Sequence, residues 1–255
     1  MPDPMTTLTS DLTPAPAAGP APVLPSGPAT RIDLGVTPLR AANAALQAHN
    51  GTDARAAFQV VGARGAHALA VGLDAPVSVR IDGSTGYYCA GMNRRARVHV
   101  AGSAGPGLAE NMMSGEVVVD GDASQYAAAT ARGGLVVVRG TASSRCAISL
   151  KGADVVVGGD VGHMSAFMAQ KGTLVVLGDA GEALGDSLYE ARLYVRGRVG
   201  SLGADCVEKE MRPEHLAQLA ALLARAGMDA APEAFRRYGS ARRLYNFDID
   251  NAAAY

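Results

Sequence analysis

Residues 151–197 read KGADVVVGGDVGHMSAFMAQKGTLVVLGDAGEALGDSLYEARLYVRG, and this stretch decides the fold. Within it, Gly159, Gly178 and Gly197 follow one another at intervals of 19 residues, each preceded by a short apolar run. A fixed period over many residues indicates a repeat architecture, in which each 19-residue unit is one coil. The seven glycines in this register are Gly83, Gly102, Gly121, Gly140, Gly159, Gly178 and Gly197.

Apolar residues occupy the positions two and four before each glycine, as Val155 and Val157 do in the quoted stretch. Side chains alternate between the faces of a strand, so these two columns point the same way. Small residues two and seven positions after the glycine indicate tight interior corners. The pattern predicts a parallel β-solenoid with a strand before each glycine and a second short strand near Met112, Leu150 and Leu188. A 19-residue period fits neither a left-handed hexapeptide helix nor a propeller blade.

Composition divides the chain into four segments. Residues 1–30 are rich in Pro and Ala and carry little charge, which predicts a disordered leader. Residues 31–76 are predicted to hold an N-terminal helix and capping strands, and residues 77–211 the β-helix itself. Residues 212–255 are predicted to form C-terminal helices and a docking tail.

Helices are expected at both ends of the solenoid. Thr37 and Pro38 provide an N-cap residue and a proline at the first helical position. Pro213 opens a second helix, and a further short helix is expected near Pro232. These helices would cap the solenoid, because its open ends would otherwise expose unpaired strand edges.

An outward-facing column of the repeat is unexpectedly apolar. Three positions before the glycine, where a polar side chain is expected, four successive coils carry valine. We call Val118, Val137, Val156 and Val175 the valine stripe. A soluble solenoid would not leave such a stripe exposed to water. Two covers are possible from the sequence, namely the C-terminal helix of the same chain or another subunit.

Charge and cysteine content exclude several classes of protein. The 23 Lys and Arg residues nearly balance 24 Asp and Glu residues, so no basic field exists to attract nucleic acid or an anionic membrane. The sequence shows no export signal and no apolar run of transmembrane length, which predicts a cytoplasmic protein. Three scattered cysteines with no metal-ligand spacing predict buried structural thiols and no iron–sulfur cluster in this chain.

Titratable residues fall in turn columns, which favours structural roles. His163 lies four residues after its glycine, where a histidine is typically a hydrogen-bonding surface residue rather than a base. Carboxylates on a β-helix could serve calcium binding or glycoside chemistry, but turn-capping is the simpler interpretation here. The acidic columns contain Asp122, Asp160 and Asp179 in one and Glu110, Asp186 and Asp205 in the other.

Several motifs carry a resemblance to a known family. The recurrent V-x-G turns, NMMSGEVVVDG, GHMSAFMAQ, GDSLYEARLYVRG and GSLGADCVEKEM resemble the GXGXG domain, the right-handed β-helix at the C-terminus of the glutamate synthase large subunit. The resemblance spans residues 58–211. Within this family, the loops are most similar to the stand-alone glutamate-synthase-like subunit of N-methylglutamate synthase (methylamine-glutamate N-methyltransferase).

The resemblance implies an all-β core, a right-handed parallel β-helix of about seven coils with short capping helices, and a role within a larger enzyme. One partner would resemble a class II amidotransferase, and another would be a glutamate-synthase-like subunit carrying FMN and iron–sulfur clusters. This chain would hold no cofactor, no metal and no catalytic residue, and would keep its partners in register. The complex would convert methylamine and glutamate to N-methylglutamate and ammonia.

Two other functions remain open from the sequence. One is the C subunit of a formyltransferase/hydrolase or formylmethanofuran dehydrogenase complex, which the same domain family includes. The other is a stand-alone solenoid that acts as a binding module. The turn residues that could face a partner or an inter-subunit passage are Tyr87, Tyr88, Met92, Asn93, Arg145, His163 and Met164.

Overall fold

The computed structural model describes residues 29–242, so the predicted leader lies almost entirely outside the described residues, as does the tail from residue 243 onward. The described part contains two α-helices, α1 (Leu39–Gln47) and α2 (Pro213–Ala226), and a 3₁₀ turn at Pro232–Ala234. The strands are β1 (Thr30–Asp33), β2 (Ala57–Val61), β3 (Ser78–Asp82), β4 (Arg97–Ala101), β5 (Glu116–Val119), β6 (Leu135–Val138), β7 (Lys151–Val157), β8 (Lys171–Val176), β9 (Arg192–Val195), β10 (Cys206–Lys209) and β11 (Arg236–Ser240).

The strands form one sheet in the order β1-β2-β3-β4-β5-β6-β7-β8-β9-β11-β10, and neighbours from β1 to β9 are parallel. From β3 onward, register partners are 19 residues apart along most of each strand, as for Val136 and Val155. The predicted parallel β-solenoid of about seven coils is therefore confirmed. The two apolar columns before each glycine point into the coil, where Val79, Ile81 and their equivalents are completely buried.

The repeated glycine is required by close contact between coils. A Cβ atom on Gly102 would lie 2.7 Å from the carbonyl carbon of Gly83, and one on Gly178 would lie 2.6 Å from that of Gly159. The Gly178 N–H also donates to the Gly159 carbonyl at 3.0 Å. Six of the seven glycines have no left-handed φ, the exception being Gly83. Backbone proximity therefore explains the column from Gly102 onward, whereas the left-handed φ explains Gly83, around which a Cβ atom would have open space.

The rest of each coil differs from the predicted second strand. A ladder of single bridges runs along the small residues two positions after the glycine, from Thr85 to Val199. Beyond it, alternate residues are left-handed, as in Arg145, Ala147 and Ser149 with φ of 58°, 58° and 51°. Their N–H groups donate alternately to the following and preceding coils. The strand predicted near Met112, Leu150 and Leu188 is wrong, because these left-handed turns replace extended backbone.

Helix α1 closes the N-terminal end of the solenoid, as the sequence predicted. Its apolar side buries Ala42 and Leu46 in the core. Three polar side chains beside them bond the open backbone of the first coil. Asn43 donates to the Ala68 carbonyl and accepts from the Ala70 N–H, both at 2.8 Å. In the same coil, the Gln47 side chain donates a hydrogen bond to the Val71 carbonyl. The Asn50 side chain donates to the Gly72 carbonyl and accepts from the Asp74 N–H.

The C-terminal end is closed by a returning strand rather than by a helix. The helix predicted near Pro232 is only a 3₁₀ turn, and β11 follows it. β11 inserts between β9 and β10 and pairs with both in the antiparallel direction. Tyr238 in β11 is 2% exposed and belongs to the core. This part of the proposed docking tail is therefore bound within its own chain, whereas residues 243–255 lie outside the described range.

Helix α2 covers the valine stripe. Val118, Val137, Val156 and Val175 are buried in a second apolar cluster, on the outer face of the sheet. From α2, this cluster contains Leu219, Leu222, Leu223 and Ala226. Of the two covers left open by the sequence, the C-terminal helix is the one observed, so the stripe no longer requires another subunit.

Neither helix within residues 29–242 is long and apolar enough to cross a lipid bilayer.

Replacement of Asn43 by alanine tests the amide cap. Asn43→Ala leaves the Ala68 carbonyl and the Ala70 N–H without their partner, so we expect the free energy of unfolding to fall by about 1–3 kcal/mol. Denaturant unfolding followed by circular dichroism measures this change. Arg40→Ala, at an exposed position of the same helix, is the control. Equal unfolding midpoints for the two variants would contradict the capping role of the amide.

Candidate functional site

The predicted site residues fall into two separate groups. Tyr87, Tyr88, Met92 and Asn93 belong to the coil that starts at Gly83. Arg145 belongs to the coil that starts three coils later, and His163 and Met164 to the next. At about 4.8 Å between neighbouring coils, the groups lie roughly 14 Å apart. The structure therefore does not gather the seven residues into one site.

Two tyrosines of the first group are held by packing. The Tyr87 ring lies against the His67 ring, with centroids 4.6 Å apart, and the Tyr87 N–H donates to His67 Nδ1 at 3.1 Å. The Tyr88 ring lies over Gly91, where a Cβ atom would be 2.6 Å from its Cε1. Tyr87 nevertheless remains 52% exposed, so its ring offers a fixed aromatic surface to solvent.

Met92 and Asn93 are neighbours in sequence with opposite roles. Met92 is 47% exposed, whereas Asn93 is completely buried. The Asn93 amide donates to the Ala96 carbonyl at 2.8 Å and accepts from the Ala96 N–H at 3.0 Å. Its backbone carbonyl also accepts from the Met113 N–H. The Asn93 side chain therefore closes a loop and does not lie at the surface of the described residues.

In the second group, the side-chain contact joins Arg145 and Met164, and the His163 imidazole takes no part in it. The Arg145 guanidinium approaches Met164 Sδ at 3.9 Å, and the Arg145 N–H donates to the His163 carbonyl. The His163 side chain is exposed and makes no hydrogen bond or ion pair within residues 29–242. This geometry is that of a contact surface, because neither Arg145 nor Met164 positions the imidazole for proton transfer.

Large apolar side chains remain exposed along the turn side of the solenoid. Tyr126 and Met168 are 37% and 36% exposed, and sequence reasoning missed both, together with Met113. The repeat itself carried the signal, because Tyr126 and Met168 occupy the same positions in their coils as Tyr88 and Met92. We call this surface the turn ridge; it consists of Tyr87, Met92, Met113, Tyr126 and Met168.

The three thiols are buried and chemically quiet. Burial raises the pKa of Cys89 to about 11 and the pKa of Cys146 and Cys206 to about 12. Cys89 and Cys146 share a column but lie three coils apart, roughly 14 Å. No disulfide joins them, and the thiolate form that attacks electrophiles or binds metals is disfavoured.

The acidic column after the glycines bonds the backbone of the next coil. Asp122 accepts from the Thr141 N–H at 2.8 Å, Asp160 from the Asp179 N–H at 2.7 Å, and Asp179 from the Arg198 N–H at 2.8 Å. The Arg198 N–H and guanidinium hold the pKa of Asp179 below its ordinary value. The structural role predicted for this column is therefore observed, but the carboxylates bond the next coil rather than their own turns. A shallow groove of about 400 Å³ runs past Asp122 and Asp160.

The second acidic column does not form a metal site. Asp186 accepts from the Ser187 hydroxyl at 2.6 Å, and Asp205 accepts from the Ser240 hydroxyl at the same distance. Within residues 29–242, no group of three or more His, Cys, Asp or Glu side chains is arranged to hold a metal ion.

A polar network on the outer face of the sheet was missed from the sequence. His99 Nε2 lies 2.9 Å from Asp120 Oδ2, and Arg80 Nη1 lies 3.3 Å from His99 Nδ1. A guanidinium only donates, so His99 Nδ1 accepts and Nε2 donates to Asp120. Asp82 and Arg139 extend the network on either side. Both imidazole nitrogens are occupied, so the pair joins strands rather than offering a free base.

Two carboxyl groups on the outer face, near α2, have raised pKa values. Burial raises the pKa of Glu116 and of Asp154. They stand on either side of Leu135 in one column, two coils apart, which places them roughly 10 Å from each other. Arg225 of α2 lies 3.9 Å from Asp154 Oδ2. The carboxyls therefore belong to the contact between sheet and helix.

Asn93 and Met92 provide a matched pair for testing the loop closure. Asn93→Ala removes two hydrogen bonds in a buried setting, and we expect the free energy of unfolding to fall by about 1–3 kcal/mol. Met92→Ala should change it much less, because that side chain is largely exposed. Thermal unfolding of both variants measures the difference, and the opposite order of stability would refute the structural role of Asn93.

The thiols are expected to be unreactive in the folded protein. At pH 8, below the pKa of about 11 for Cys89, a disulfide reagent such as dithiobisnitrobenzoate should modify none of the three until denaturant is added. All three should then react within minutes. Rapid modification of one thiol in the native protein would show that the site around it is open.

Comparison with known proteins places the chain in a family. No protein-family model matches it. It is 65% identical over 225 residues to Protein GlxC of Rhizobium meliloti (strain 1021), an alignment that covers 88% of this chain and 99% of that protein. An alignment of this length includes the coils from Gly83 to Gly197. The chain therefore belongs to the GlxC protein family.

Proposed function

We propose that this chain is a non-catalytic structural subunit of a glutamate-synthase-like enzyme complex. The observation that carries the proposal is the turn ridge, where tyrosine and methionine side chains from four coils are exposed at the surface. Tyrosine, methionine and arginine are enriched at protein interfaces. The three thiols are instead buried, and the carboxylates of Asp122 and Asp160 are bonded to the backbone.

The partners follow from the resemblance to the glutamate synthase β-helix. We propose a class II amidotransferase-like chain and a second chain that resembles the synthase domain and carries FMN and iron–sulfur clusters. More specifically, the complex would be a cytoplasmic N-methylglutamate synthase that converts methylamine and glutamate to N-methylglutamate and ammonia. This chain would bind no cofactor itself, and its three separated, buried thiols do not suit a cluster.

A β-helix suits the positioning of other subunits. Each coil is bonded to the next along its strands, its glycines and its turns, so residues on different coils keep fixed separations. A partner bound to the coil of Tyr87 and one bound to the coil of Met168 would be held about four coil spacings apart, roughly 19 Å. Fixed geometry matters when an amine must pass between active sites without loss to water.

A second candidate function has support from one observation. The valine stripe is covered by α2 of the same chain, as expected for a stand-alone solenoid that acts as a binding module. In that case the turn ridge would bind its ligand without permanent partner subunits. The two functions differ in whether the chain is isolated as part of a coloured complex.

Affinity purification at native abundance distinguishes these functions. We expect the tagged chain to be isolated with an amidotransferase-like and a synthase-like chain, identified by mass spectrometry, and to show flavin absorbance. The eluate should then form N-methylglutamate from methylamine and glutamate. Colourless material with amidohydrolase-like and formyltransferase-like chains would instead indicate a formyl-transfer complex, and a colourless monomer would favour the stand-alone module.

Charge substitutions on the turn ridge test whether it is the interface. Tyr126→Glu and Met168→Glu should each reduce recovery of the partner chains and flavin by roughly tenfold or more, because a buried unpaired charge is costly. Ala45→Glu, at an exposed position of α1, is the matched control. Unfolding temperatures should stay the same in all three variants. If both ridge variants recover the complex in full, the turn ridge is not the interface with the partner chains.

A further inference from the structure

Three cations lie side by side where the turns lead into the sheet. Arg132, Lys151 and Lys171 belong to three consecutive coils, and we call them the basic corner. Lys151 and Lys171 are direct register partners between β7 and β8. None of the three forms an ion pair or a side-chain hydrogen bond with another residue in the range 29–242. Like charges on adjacent strands repel, so the corner favours an anionic occupant.

Apolar side chains border the basic corner. Met113 stands one coil before Arg132 in the same column and is 39% exposed. Met168 and the half-buried Phe167 precede Lys171 in its coil. The surface therefore combines positive charge with exposed apolar area, and it suits a peptide segment in which acidic and apolar residues alternate.

The chain itself runs toward this corner as the described part ends. β11 is antiparallel to β9, with Tyr238 opposite Leu193. The next residues continue beside the last turns, where Arg242 Nη2 lies 4.0 Å from Glu190 Oε1. Glu190 stands one coil beyond Lys171. Arg242 is therefore about two strand spacings, or roughly 10 Å, from the basic corner.

The residues that follow have the complementary chemistry. The sequence from 243 is RLYNFDIDNAAAY, in which Phe247 and Ile249 alternate with Asp248 and Asp250. In extended form, the six steps along the chain from Arg242 to Asp248 span about 20 Å. That reach matches the four strand spacings, roughly 19 Å, that separate Arg242 from Arg132.

We propose that residues 243–255 bind along the basic corner of their own chain. Asp248 and Asp250 would face the lysines, while Phe247 and Ile249 would contact the half-buried Phe167 at the apolar border. The surface is thus a peptide-binding site with an intramolecular occupant. This proposal is independent of the partner subunits and of the reaction proposed above.

Zero-length carbodiimide cross-linking of the full chain tests the proposal, because it joins a lysine to a carboxylate in direct contact. The sequence contains only three lysines, Lys151, Lys171 and Lys209, so each cross-link identifies its site. In a mixture of ordinary and ¹⁵N-labelled protein, we expect Asp248 or Asp250 to be linked to Lys151 or Lys171 within single chains. The variant carrying both Asp248→Asn and Asp250→Asn should lose these links.

Three results would overturn the proposal. One is tail cross-links to Lys209 alone. Another is links that join labelled to unlabelled chains, which would show that the segment binds a second copy. The third is the absence of tail cross-links in a protein whose Lys151 and Lys171 react with an amine reagent. That result would show that both lysines are accessible and that the tail does not bind them.

Limited proteolysis provides a second measurement that needs no cross-linker. Trypsin should cleave after Arg243 roughly fivefold faster when Lys151→Gln and Lys171→Gln are combined than in the unmodified chain, since two exposed ion pairs are lost. Lys209→Gln, which lies outside the corner, should leave the rate unchanged. Equal rates in all three proteins would contradict binding of the segment at the corner.

Discussion

The structure depends on one contact, the close approach of successive coils at the repeated glycine. From Gly102 onward, a side chain at that position would crowd the carbonyl group of the preceding coil, as the Gly83–Gly102 pair shows. Because the backbones stack there in register, the strands before the glycine align at 19 residues, and the valines form continuous buried columns. The following acidic and hydroxyl side chains then bond the next coil's N–H groups.

A stacked structure leaves two open ends and one exposed apolar face, and the chain closes all three differently. At the N-terminal end, the amides of Asn43, Gln47 and Asn50 take the place of a missing coil. At the C-terminal end, β11 reverses direction and inserts Tyr238 into the core. Helix α2 covers the outer valines. Each solution satisfies backbone or apolar groups that would otherwise face water.

The surface that remains has two parts with different chemistry. The turn ridge is neutral, aromatic and rich in methionine, and it extends along the solenoid from Tyr87 to Met168. The basic corner beside it carries positive charge on three coils, and residues 29–242 provide no ion pair for these charges. Its charges suit the acidic segment that follows Arg242, whereas the ridge remains available to other chains. In our two proposals, the basic corner binds the tail of the same chain and the turn ridge binds other subunits.

The sequence alone determined the coil number, the register and the inward columns, because a 19-residue period and strand alternation are local properties. It also identified Tyr87 and Met92 as turn residues at the surface. Only the tertiary structure decided that left-handed turns replace a second strand. The N–H groups of these turn residues donate hydrogen bonds to carbonyls of neighbouring coils, and a local sequence pattern does not show such bonds. The His99–Asp120 contact and the insertion of β11 were likewise decided by partners that are distant in the sequence, and no local pattern records their proximity. The Asn93 amide bonds Ala96, only three residues away, but its complete burial depends on the packing of the coils.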